Sequence, residues 1–251
     1  MPAHETSRRE FLIASLATAG VAAIAGLPAA VSDPLQRIDY RIIPTALDPP
    51  KAKIIHIIGH SHIDAAWLWP WRDGSNIALT TFRSALDRMN ETRGFRYSHS
   101  SAVHYRWIQQ AYPKMFEEIR QRVKEGRLEI LGGWPVEPDC NIPSTESLVR
   151  HCLYGKEYFQ HALGVDVNIG SNPDSFGHAA GLPSILAGAG YRYYVLKHPD
   201  ATEMKNLPML FWWEAPDGSR VLALRVLGYG GKPERIPVLI EKIFAPGFNH
   251  A

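Results

Sequence analysis

From Ile54 onward the hydrophobic residues of this chain follow two periods that replace one another in turn. The run "KIIHIIG" is short and β-branched, which predicts a buried strand over Ile54–Ile58 ending at Gly59. In "SNIALTTFRSALDRMNETRG" the apolar positions Leu79, Phe82, Leu86 and Met89 fall on one helical face, and Gly94 offers a stop. The exchange then repeats. "FRYSH" is a second strand candidate, and a helical stretch starts at Ala102. Pro113 suits the first turn of a further helix that carries Phe116, Ile119 and Val123 and ends at Gly126. "RLEIL" is a third strand, and the loop from Gly132 to Pro143 leads into "STESLVRHCLYGKEYFQHAL". There Ser144 or Thr145 is the expected N-cap, with Glu146 in the first turn. "VDVNIG", "LPSILAGAG" and "YRYYVL" read as strand, helix and strand. "MLFWWEA" and "SRVLALR", joined by "PDG", read as a hairpin.

This βαβα order predicts a parallel sheet covered by helices, either open and doubly wound or closed as a (β/α) barrel. Five strand candidates precede the hairpin, fewer than a barrel needs, so the fold is expected to be incomplete at the C-terminus.

Composition narrows the choices. With 251 residues, 45% of them hydrophobic, the chain can bury a sizeable core. A formal net charge of +2 gives no reason to expect a nucleic acid or an anionic membrane as partner. At the N-terminus, "SRREFL" precedes a short Gly/Ala-rich apolar segment that ends in alanines, the layout of an export signal. Arg8 and Arg9 beside Phe11 and Leu12 resemble a twin-arginine signal. Residues 1–30 are therefore expected to be a signal peptide, residues 31–52 a leader, and the mature chain periplasmic or secreted and not held in a membrane. Cys140 and Cys152 are expected as free, buried thiols, because a chain that folds before export does so in a reducing compartment.

The candidate chemistry lies where predicted strands end. "GHSHIDAAWLWPW" puts His60, His62 and Asp64 just past the first strand, the place where α/β proteins carry their sites. A His-x-Asp pair can turn an imidazole and a carboxylate toward one divalent ion, and it can equally cap a strand. "NPDSFGH" brings Asp174 to the same rim, as a held carboxylate or as a helix N-cap. "GGWPVEPDCN" adds Trp134, Glu137, Asp139 and Asn141. Acidic groups beside large aromatics suit sugars, whose apolar faces pack on rings while their hydroxyls bond carboxylates. Trp69, Trp71, Trp107, Trp212 and Trp213 are expected in the core.

Together "GHSHIDAAWLWP", "GRLEILGGWPVEPDCNIPSTESLVR" and "NPDSFGHAAGLPSIL" resemble the N-terminal catalytic domain of glycoside hydrolase family 38, the class II α-mannosidases. The resemblance runs from about Ile54 through Arg225 and makes residues 53–251 a partial domain of that kind. It implies an α/β barrel of seven parallel strands and a divalent metal, zinc or another such as cobalt, held by two aspartates and two histidines. By its match His62 and Asp64 are ligands, Trp67 packs on the bound mannose, and Asp174 is the nucleophile and touches the metal. Phe176 is its aromatic neighbour in the sugar pocket. The implied reaction is retaining hydrolysis of a mannose-containing glycan.

In the family the acid/base aspartate and the second histidine come from segments beyond the length of this chain, so weak activity is expected. Glu137, Asp139 and Asp217 are the local substitutes, of which two match a loop of other function and the third sits in a hairpin turn. Two other readings compete. "HSH", His60–His62, imitates the start of metal-dependent amidohydrolases or phosphoesterases, which would also need histidines such as His178 or His198. A non-catalytic carbohydrate-binding protein would use the same pocket without turnover.

Overall fold

A computed structural model of the protein describes residues 57–200, 202–226 and 237. The expected signal, the leader and residues Ile54–His56 of the first expected strand lie outside them.

Among the described residues, seven strands and five helices follow one another almost as the hydrophobic pattern predicts. They are β1 Gly59–His60, α1 Trp71–Glu91, β2 Tyr97–His99, α2 Ala102–Ala111, α3 Pro113–Lys124, β3 Leu128–Ile130 and α4 Thr145–Leu163. After these come β4 Ile169–Asn172, α5 Leu182–Gly188, β5 Tyr193–Leu196, β6 Leu210–Glu214 and β7 Arg220–Arg225. β1 is shorter and later than expected, since pairing with β2 begins only at Gly59. α1 begins earlier, at Trp71, directly after Pro70. Ser144 caps α4 by accepting the Ser147 amide at 3.2 Å.

One sheet has the order β1-β2-β3 and is parallel throughout; the other, β4-β5-β7-β6, is parallel except for the antiparallel edge pair β6 and β7. The two are joined past the end of β3. Gly132 N donates to Ile169 O at 2.9 Å, and the Trp134 indole donates to Ser171 O at 3.2 Å. Both chains advance together between those bonds, so the junction is itself parallel in course. The result is an α/β arc of parallel strands with helices packed on it. The arc does not close into a barrel among the described residues, as expected of a fold incomplete at the C-terminus.

Phe82, Leu86 and Met89 of α1 are buried, as their spacing predicts, with Phe116 and Ile119 of α3 and Phe159 of α4. Two helical glycines let the site loops approach. A Cβ on Gly74 would collide with the carbonyl of Ala65, and one on Gly155 with the backbone of Gly133 and Trp134. Gly155→Ala is therefore expected to destabilise the protein by about 1–3 kcal/mol, because backbone cannot yield as a side chain can. An unchanged midpoint in urea would contradict that packing.

Both cysteines are free and buried, and burial pushes the Cys152 thiol up to about 12. No helix among the described residues is long and apolar enough to cross a membrane.

A buried histidine pair sits beneath the rim. His99 Nε2 and His104 Nδ1 are 2.9 Å apart, with the Tyr97 hydroxyl 3.2 Å from His99 Nδ1. Burial, with His62 nearby, pulls the His104 imidazolium down from 6.5 to about 4, and His99 also falls well below the usual range. The unfolded chain then binds more protons below pH 6.5, so stability is full above that pH and drains away as pH falls toward 4. The loss attributable to His104 is about 3 kcal/mol. Urea midpoints that stay flat between pH 7 and pH 4.5 would refute it.

Candidate functional site

The carboxyl ends of β1, β2, β3, β4 and β5 open on one rim, and the sequence-predicted residues lie along it. His62 and Asp64 leave β1, Ser100 follows β2, Glu137 lies on the loop after β3, Asp174 follows β4 and His198 follows β5. Asn172 and Leu196 are register partners on β4 and β5, so Asp174 and His198, two residues further along each chain, leave the sheet at one level.

His62 is the meeting point. Its Nε2 lies 3.5 Å from Asp64 Oδ1 and 3.7 Å from Asp174 Oδ2, and its Nδ1 donates to Glu137 Oε2 at 2.9 Å. The two Nε2 distances exceed a good hydrogen bond and approach the separation of about 3.4 Å that donor atoms take around a shared tetrahedral zinc. Burial opposes the charged imidazole. The Glu137 hydrogen bond and charge, with the charges of Asp64 and Asp174, outweigh burial and raise its pKa. Three carboxylates around one imidazole favour positive charge there, and the mixed N/O donor set suits a divalent metal.

The surrounding rings divide by exposure. Trp67 is 65% exposed and packs edge-on against Trp69 with centroids 5.2 Å apart; Phe176 is 75% exposed and lies against His198 at 4.6 Å. Trp69 stays partly buried and holds the site loop by donating from its indole to Asp64 O at 3.2 Å. Two expectations are corrected. Trp134 is 1% exposed and ties the sheets together instead of lining the rim, and Trp71 is 55% exposed because it opens α1 and rests on Trp107 at 6.2 Å.

Of the two histidines in "HSH", only His62 faces the carboxylates in this way. His60 turns to β2, with Nδ1 at 3.1 Å from both the carbonyl and the hydroxyl of Ser98. His178 packs edge-on to Tyr194 and Trp213, and burial lowers it to about 4. This arrangement is unlike the convergent histidines an amidohydrolase requires. Asp174 is not a helix N-cap, since α5 starts at Leu182 with Gly181 before it.

The other candidate acids have structural work. Asp139 Oδ1 accepts the amides of Asn141 and Ile142 at 2.7 and 2.8 Å, and Asp217 accepts from Ser219 and Ser184. His198, Asp200 and Glu203 bring ligand-type atoms within 4.8 Å of one another. Their atoms are already engaged: Lys197 Nζ donates to His198 Nε2 at 2.8 Å, His198 Nδ1 donates to Glu203 at 2.9 Å, and Asp200 receives the Thr202 amide. An ammonium on the imidazole lone pair makes this a hydrogen-bonded turn. The buried Arg225 guanidinium fastens it by donating to the carbonyls of Pro199, Met204 and Leu207.

From the sequence, Glu137 stood on the rim as a substitute acid that was set aside, His198 was weighed only as a histidine an amidohydrolase would need, and Ser100 was passed over. The available signal was position, since Ser100 and His198 lie one and two residues beyond a strand end.

Comparison with known proteins agrees with this geometry. Over 169 residues, 67% of this chain and 16% of the relative, the protein is 35% identical to human "Alpha-mannosidase 2C1". It is 32% identical over 166 residues to "Alpha-mannosidase G" of Dictyostelium discoideum, covering 66% of this chain and 15% of that one. The chain thus matches only about a sixth of the length of these relatives. Among solved structures, an alpha-mannosidase from Enterococcus faecalis V583 shares the fold with a TM-score of 0.58 at 24% identity, over 67% of this chain and 19% of that one. The description "Glycosyl hydrolases family 38 N-terminal domain" matches residues 52–237, most of the sequence, and the chain belongs to that family.

Proposed function

We propose that this chain carries the nucleophile and the metal side of a retaining α-mannosidase site acting on mannose-containing glycans. The observation that supports it is the meeting of Asp174 and Asp64 at His62 on the strand-end rim, with the exposed rings of Trp67 and Phe176 on the same two loops. His62, Asp64 and Asp174 would hold the metal, zinc or a similar divalent ion. Bound there, it supplies positive charge that orients sugar hydroxyls.

Asp174 attacks the anomeric carbon. A carboxylate oxygen–carbon bond forms as the bond to the aglycone oxygen breaks, and that oxygen takes a proton from a second carboxyl group. Water then releases mannose with its configuration retained. Trp67 and Phe176 offer faces to the apolar side of the ring. Asp139 and Asp217, held in turns, and Glu137, bound to His62, are not assigned the acid/base role.

The parallel arc is read as part of the seven-stranded barrel of this family. Residues 1–30 are read as its export signal, so a reporter fused to them should leave the bacterial cytoplasm and stay inside when Arg8 and Arg9 are both lysine. Export of that double variant would sink the twin-arginine reading.

The test of function is release of an aryl group from an activated aryl α-mannoside by the full chain, with and without zinc. Zinc-dependent turnover supports the proposal. A folded chain that binds mannose without turnover would favour the non-catalytic carbohydrate-binding reading.

A further inference from the structure

The loop after β3 is fastened at successive residues that lead to one atom of His62. Ala102 N donates to Trp134 O at 2.9 Å and Val103 N to Pro135 O at 3.0 Å, both from the start of α2. The next carbonyl, that of Val136, accepts from His151 Nε2 of α4 at 2.7 Å. The residue after it is Glu137, whose side chain is 8% exposed. Its Oε1 accepts the Ser100 hydroxyl at 2.6 Å and its Oε2 accepts His62 Nδ1 at 2.9 Å. The turn that presents Ser100 is costly in itself, because the following residue, Ser101, has φ 63°. Such a backbone costs about 1–3 kcal/mol in a non-glycine residue and persists where neighbours over-determine it.

A carboxylate oxygen can only accept from an imidazole N–H, so this contact selects one tautomer. With the proton on Nδ1, the neutral ring has its lone pair on Nε2, the atom directed at Asp64 and Asp174, where a bound cation takes the place of the imidazolium proton. We propose that Glu137, braced by Ser100, is a positioning residue that fixes the tautomer and ring orientation of His62 for metal binding. This rests on the metal reading given above. Outer partners of metal-bound histidines are worth about 10–100-fold in metal affinity.

A carboxylate that merely stabilised its loop would affect melting and leave metal affinity alone. The test is therefore the zinc dissociation constant of the full chain, measured by competition with a chromophoric chelator, beside the melting temperature of the metal-free protein. Glu137→Gln keeps the shape and removes the charge, and is expected to weaken zinc about 10–100-fold with the fold intact. Ser100→Ala is expected to weaken it less, in the same direction. Should Glu137→Gln fail to fold, Ser100→Ala decides alone. Parent-like zinc affinity in the folded variants, with affinity lost in His62→Ala, overturns the positioning role and leaves the metal reading standing. No zinc uptake by the parent overturns both.

Discussion

Asp174→Asn is expected to cut release of an activated aryl group from an α-mannoside by about 10⁴-fold or more, the scale on which loss of a nucleophile removes turnover. The substitution is nearly isosteric, and the turn that carries it is fastened by its neighbours. Pro173 and Ser175 on either side are buried, and Ser175 locks the turn by donating to Gly177 O at 2.9 Å and accepting the Cys140 amide at 3.3 Å. The carboxamide therefore occupies the same place with no anionic oxygen to attack carbon. An activated leaving group needs little acid assistance, so this assay reports the first step whichever group serves as acid. Parent-like rates in Asp174→Asn would remove Asp174 from the chemistry.

His62→Ala is expected to weaken zinc binding by more than about 100-fold, beyond the range of an outer-shell partner. The change removes the atom on which Asp64 and Asp174 converge and leaves Glu137, a buried carboxylate, without its imidazole donor. Some stability should go with it, since an uncompensated buried acceptor costs about 1–3 kcal/mol. Isothermal titration of zinc into the metal-free protein measures the first effect, and a urea melt the second. Equal zinc affinity in parent and variant would show that the ion binds elsewhere.

The helices and the hairpin were legible from the chain because their burial is periodic. Phe82, Leu86 and Met89 had one reading, and the "PDG" turn had one. Strand limits were harder to read near the rim. The fourth strand was expected over "VDVNIG" but is Ile169–Asn172. Its last residues, Ser171 and Asn172, are polar and buried, as are Ser98 and His99 at the end of β2. A strand that runs into a site stops being hydrophobic before it stops being a strand, so the pattern loses it where it matters most.

The site itself divides in the same way. His62, Asp64 and Asp174 were singled out because each lies in a motif beside a strand end, and the fold brings the three together. Glu137 was seen but not understood, because its meaning is a contact across 75 residues that no spacing encodes. Trp134 and Trp71 were misassigned for the same physical reason. Ring size marks both a core residue and a sugar platform, and only the neighbours separate Trp134 from Trp67.

The most direct measurement is covalent trapping. The full chain with zinc is incubated with an activated fluoro-mannoside, in which fluorine slows breakdown of the glycosyl-enzyme, and the modified peptide is identified by mass spectrometry. The account predicts one adduct on Asp174, absent from Asp174→Asn. An adduct on another carboxylate, or none from a folded, zinc-loaded chain, would contradict it.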